Sequence, residues 1–170
     1  MKTLTILRSA ALVLALTTAA TAAAGDRSRA PATVEGPWQV TITPVSCATG
    51  EEFSQFAFQS LMTFVSGGTL VETTSNPNFQ PGQRSPGQGH WERTGRTFYH
   101  AYFQAFVQYD SVDPQPPAPF YHRGAQSLDQ TIQMQDADHW TSDAQVTFRD
   151  LSGAVIYSTG CAKAAAQRMP

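Results

Sequence analysis

The sequence predicts an all-β protein: an eight-stranded antiparallel up-and-down barrel, with a two-sheet sandwich as the alternative. Three observations carry this expectation. From Trp38 onward, apolar and polar residues alternate with period two in successive segments, the pattern of half-buried strands. Clusters of glycine, proline and aspartate separate those segments at hairpin spacing. Two cysteines, Cys47 and Cys161, stand just after the first strand and at the end of the last. A bond between them would join the two strands that an open sheet leaves as exposed edges.

In the first strand Trp38, Val40 and Ile42 alternate with Gln39, Thr41 and Thr43, and Pro44 is expected to end it. In the second, Phe58, Ser60, Met62 and Phe64 alternate with Gln59, Leu61, Thr63 and Val65. Gly67 and Gly68 then make a tight turn into a third strand over 69–75. Residues 75–89, SNPNFQPGQRSPGQG, hold three prolines and three glycines and read as a long loop. Proline has no ladder donor and glycine weakens a strand. Loops of that length inside compact domains are commonly functional or disordered. A short strand over 90–93 and a turn at 94–96 follow.

Residues 97–109 form the longest strand. Tyr99, Ala101, Phe103, Ala105 and Val107 make its better inner face, because His100 and Gln104 on the other side prefer water. Residues 113–119, DPQPPAP, form a second loop. Alternation resumes over 122–135, where Leu128, Ile132 and Met134 oppose Ser127, Asp129, Thr131 and Gln133. After a turn at 136–138, Trp140, Ala144, Val146 and Phe148 alternate with Thr141, Asp143, Gln145 and Arg149. A turn at 150–153 leads to a last strand over 154–161. The alanine-rich residues 162–168 are expected to form one or two helical turns.

The first 24 residues read as a cleaved signal peptide: Lys2 and Arg8, an apolar stretch, then Ala22-Ala23-Ala24 before Gly25. A membrane anchor, the rival reading, needs about 20 consecutive apolar residues, and Thr17, Thr18 and Thr21 interrupt this stretch. The expected division is 1–24 signal, 25–35 flexible leader, 36–164 one barrel domain and 165–170 tail, with no membrane span in the mature chain. The expected location is secreted or periplasmic. Oxidising conditions there favour a Cys47–Cys161 bond over two free buried thiols. Without Lys2 and Arg8 the chain keeps nine basic against thirteen acidic residues, a formal charge of −4, with no basic run. Nucleic acid is therefore not an expected partner.

Gly36-Pro37-Trp38 matches the Gly-x-Trp signature that opens the first strand of lipocalins. With the signal-like start, about eight strands and a late cysteine, the chain resembles a lipocalin-like (calycin-type) barrel. It also resembles a group of small exported bacterial proteins, through the opening Trp38, the TLVETTSNP stretch, the PGQRSPGQGHW loop and the late cysteine. The resemblance implies a binder of small apolar molecules. It also implies an arginine from the end of the barrel packed on Trp38, for which Arg149 is the candidate. The second lipocalin signature, Thr-Asp-Tyr, and the long C-terminal helix are absent from the sequence.

Catalytic motifs are sparse. No nucleophile elbow, no HExxH and no H-x-H spacing occurs, and Glu51 and Glu52 are adjacent and point apart if extended. No metal or other cofactor is expected. His90, before Trp91 and with Glu92 or Asp110 as a possible neighbour in space, is the candidate general base for an enzymatic reading. The aromatics carry the preferred one. Trp38, Phe64, Trp91, Tyr99, Phe103, Trp140 and Phe148 are expected to line a cavity for a small apolar or amphipathic ligand, with Arg84, His90 and Arg93 at its mouth. The alternative is a filled barrel serving as a structural or protein-interaction module, with Phe98, Tyr102 and Phe106 exposed.

Overall fold

A computed structural model describes residues 32–108 and 124–170, with the backbone alone for 157–159. The signal-like segment, residues 25–31 of the leader, Asp110, the loop at 113–119 and His122 lie outside the described residues. Eight antiparallel strands close into one barrel. They are β1 (Gly36–Val45), β2 (Phe58–Val65), β3 (Thr69–Thr74), β4 (Gly87–Arg93), β5 (Phe98–Val107), β6 (Gly124–Met134), β7 (His139–Asp150) and β8 (Val155–Arg168). A single 3₁₀ turn, Ser54–Phe56, lies between β1 and β2. Each strand pairs with its neighbours in sequence, and β1 pairs with β8 from Trp38↔Arg168 to Val45↔Cys161. Closure leaves no free sheet edge.

Three boundaries depart from the sequence expectation. Pro44 does not end β1, which runs on to Val45, beyond its pairing with β2, where it pairs with β8 and bridges to Glu52. Residues 87–89 belong to β4 rather than to the long loop. A Cβ on Gly89 would lie 1.9 Å from the Tyr102 carbonyl oxygen, so glycine there permits β4 and β5 to approach closely. The alanine-rich residues 162–168 are strand, not helix. Helix propensity is worth less than about 1 kcal/mol per residue. Pairing with both β1 and β7 supplies far more backbone hydrogen bonding to this segment than an isolated helical turn could.

One end of the barrel is solid. Trp38 packs edge-on against Trp140 at 5.9 Å between ring centroids, and Phe64 packs on Trp140 and on Trp91, each at 6.2 Å. Tyr99, Phe103, Leu70, Met62 and Ile132 fill the space between them. Ala162, Ala164 and Ala166 face inward from β8, and their small size leaves room for the large rings. Residues 32–35 close the end: Val34 is fully buried and its carbonyl accepts from Trp38 Nε1 at 2.6 Å.

Arg168 locks that closure. Its guanidinium carbon lies 4.2 Å from the Trp38 ring centroid, and its nitrogens donate to the carbonyls of Ala137, Glu35 and Thr33 at 2.8, 2.6 and 2.7 Å. The arginine on the opening tryptophan is thus Arg168 and not Arg149, which lies at the opposite end with Nη1 donating to the Gly153 carbonyl. The glycine of the Gly-x-Trp motif has a steric reason. Gly36 has φ +110°, and a Cβ there would sit 2.8 Å from Arg168 Nη1.

The other end of the β1–β8 ladder carries the disulfide: Cys47 and Cys161 are bonded across 114 residues with Cα atoms 5.2 Å apart.

Two predictions concern these locks. Replacing Cys47 or Cys161 by serine removes a cross-link worth about 4–5 kcal/mol by loop entropy. Thermal melts without reductant should show the midpoint falling by about 10–20 °C; an unchanged midpoint would refute the bond's role. Arg168→Ala should cost about 2–4 kcal/mol in urea unfolding, with Arg168→Lys failing to restore it, because an ammonium cannot serve three carbonyls and an indole face in one plane. Full rescue by lysine would contradict this account.

Candidate functional site

The half of the barrel nearest the disulfide is hollow. A cavity of about 660 Å³ opens at this end, within the size range of small-molecule sites. Its walls are mostly apolar, from Ile42 (β1), Phe58 (β2), Leu128 (β6), Val146 and Phe148 (β7) and Ala162 (β8). The hollow follows from residue size. The same inward positions that carry indole and phenyl rings at the solid end carry Ile42, Leu128, Val146 and Ala162 here.

Residues 75–86 cross the mouth as a folded loop. Ser85 N donates to the Phe106 carbonyl at 3.0 Å, and Phe106 N to Ser85 Oγ at 2.9 Å. Gln83 is buried and accepts from Gln80 N at 2.9 Å. Phe79 reaches Phe148 with ring centroids 6.4 Å apart, and the Arg84 guanidinium lies 5.9 Å from the Phe79 ring.

A buried ion pair sits in the cavity wall. Arg84 Nη2 donates to Glu72 Oε2 at 2.8 Å, with side-chain exposures of 4% and 2%. Ser60 Oγ donates to Glu72 Oε1 at 2.8 Å. Arg84 Nε donates to Gln126 Oε1, and Nη1 to the Ser85 carbonyl at 3.2 Å. Gly87 makes space for this cluster: a Cβ there would come within 2.8 Å of Glu72 Oε2 and 2.7 Å of the Phe103 ring. At the rim, hydrogen bonds from Ser152 and from the backbone of Ala154 hold the Asp150 carboxyl below its usual range, so it is an anion at neutral pH.

Of the expected lining residues, Phe148 faces the cavity. Trp38, Phe64, Tyr99, Phe103 and Trp140 lie in the solid core, and Trp91 packs against that core from β4. Of the expected mouth residues, Arg84 lines the cavity. Arg93 lies at the closed end, 5.8 Å from the Tyr99 ring. His90 is on the outer wall beside Tyr102 and His100, at 5.7 and 6.5 Å between ring centroids. There it is His100 that meets carboxylates, Asp129 at 3.0 Å and Glu92 at 3.9 Å. Among the described residues no three His, Cys, Asp or Glu side chains are grouped to hold a metal, and no helix is long and apolar enough to cross a membrane.

Phe58, which its alternation also turns inward, lines the cavity as well, while sequence reasoning missed Glu72, Gln126, Phe79 and the aliphatic walls. The signal for Glu72 is its phase: it shares the inner face of β3 with Leu70, one step from the equally apolar Val71. Either phase suits a six-residue strand, so the pattern alone could not choose.

Breaking this pair should be worse than deleting it. Arg84→Met and Glu72→Met should each cost about 3–5 kcal/mol by stranding a buried charge, and the double substitution should cost less than either alone. Additive losses in urea unfolding would show that the pair is not coupled.

No protein-family model matches the chain, and no curated protein does. Solved structures similar to it include two β-barrels. One, described as a redesigned β-barrel, is 15% identical with a TM-score of 0.43, over 80% of this chain and 91% of that one. The other was solved bound to DFHBI and is 18% identical with a TM-score of 0.42, over 79% of this chain and 93% of that one.

Proposed function

We propose that this protein is a non-catalytic, lipocalin-like binder of a small apolar or amphipathic molecule, held in the open half of the barrel. The observation that carries the proposal is the 660 Å³ cavity, with mostly aliphatic and aromatic walls and a few fixed polar groups. The barrel's stability does not require this space. Its opposite half is packed solid, so the same architecture can be filled. The disulfide supports an oxidising, extracytoplasmic location, in keeping with the signal-like start of the chain. The alternative, an interaction module, draws on Phe98 and Phe106, which are 42% and 60% exposed on the outer wall of β5. It expects a filled barrel, and the cavity weighs against it.

The test is titration with N-phenylnaphthylamine, a neutral apolar fluorophore that brightens on leaving water. The wild-type protein should bind it saturably. Leu128→Trp and Val146→Trp, which fill the cavity from two sides, should weaken binding by at least about tenfold, while the melting transition stays cooperative. Equal binding by the filled variants would move the site elsewhere, and no binding by the wild type would defeat the proposal.

A further inference from the structure

Resting on the binding reading above, we propose that the cavity selects a neutral amphipathic ligand bearing a hydrogen-bond acceptor, such as a long-chain alcohol or ketone, and discriminates against a carboxylate of the same length. An arginine in an apolar cavity ordinarily invites an anion. Here that attraction is already used. Glu72 occupies Arg84 at 2.8 Å, and both side chains are almost wholly buried. A ligand carboxylate approaching Arg84 would meet the charge of Glu72 at the same place.

The rest of the lining adds no net charge. Among the described residues the charged side chains around the cavity are Glu72 and Asp150 against Arg84 and Arg149. Arg149 is exposed at the rim and spends Nη1 on the Gly153 carbonyl, so it can meet a carboxylate only at the watery edge. A carboxylate drawn past it to Arg84 would lose its water without gaining an unspent cation, and a buried unpaired charge is strongly disfavoured. A neutral oxygen faces no such penalty, and a donor is in place for it. Gln126 is 7% exposed, lines the cavity and spends Oε1 on Arg84 Nε. Its Nε2 donates to no described residue, so this amide can donate to a ligand carbonyl or hydroxyl oxygen. The Arg84 contact sets which way the amide faces. The ion pair is thus a positioning and charge-cancelling element, and Gln126 is the contact for the ligand's polar group.

The experiment is competition for the bound fluorophore at neutral pH by a fatty alcohol, a methyl ketone and a free fatty acid of equal chain length. For the wild type, the alcohol and ketone should compete at least about tenfold better than the acid. Glu72→Gln keeps an acceptor for Arg84, with its amide nitrogen turned to donate to Ser60 Oγ, but removes the cancelling charge, and should shift the ratio toward the acid by about tenfold or more. If the wild type binds the fluorophore and prefers the acid, or treats all three alike, this inference is overturned and the binding reading stands. If the fluorophore does not bind at all, the binding reading falls and takes this inference with it. The wild-type ratio decides the matter even if Glu72→Gln proves too unstable to assay.

Discussion

The ladder between β1 and β8 is the constraint on which the rest of this molecule depends. An eight-stranded meander has two terminal strands with unpaired backbone, and pairing them turns a sheet with edges into a barrel with an inside. Both ends of that ladder are reinforced. At Trp38↔Arg168 a guanidinium lies on an indole face and gathers three carbonyls. Just beyond Val45↔Cys161, the disulfide to Cys47 ties the strand ends covalently. Between them β8 turns alanine inward, so the two strands come together without overfilling the interior.

Closure creates an interior, and side-chain size divides it. Indole, phenol and phenyl rings occupy the half under residues 32–35 and pack edge to face. One cost of this density is Trp140 Nε1, which is buried without a hydrogen-bond partner among the described residues. The other half holds aliphatic residues, alanine, three phenylalanines at its walls and mouth and a buried ion pair, and stays open. Buried ion pairs seldom stabilise a protein more than well-packed apolar residues of the same volume would. One in the wall of the hollow half is therefore better accounted for by the proposed binding role than by stability. The two halves share strands but not tasks: one holds the barrel shut, the other offers space.

Much of this was legible in the sequence, and the illegible parts have physical causes. The strand order, the hairpin turns, the inner face of β5 and the cysteine pairing follow from period-two alternation, glycine placement and compartment chemistry. The tail was misread because alanine carries helix propensity and only a faint strand pattern. Its alternation shows in Lys163 and Gln167 facing outward, which is little to set against a run of alanines. That misreading also hid Arg168, and Arg149 took its place as the partner of Trp38. The cavity residues were misassigned for a different reason. Alternation identifies which side chains point inward, and it correctly turned Trp38, Phe64, Tyr99, Phe103 and Trp140 toward the interior. It says nothing of the height along the barrel axis at which each one lies.

The sequence by itself therefore determined the course of most strands, the antiparallel meander and the covalent tie, because these rest on local periodicity, turn chemistry and the presence of two cysteines. Tertiary structure alone decided where the interior is full and where it is empty, and which charge meets which. Glu72 and Arg84 are twelve residues apart with a proline-rich loop between them, and Gln126 is on the far side of the barrel in sequence. Bringing the three together requires the stagger of strands in a closed barrel, a global geometric property that no single segment encodes.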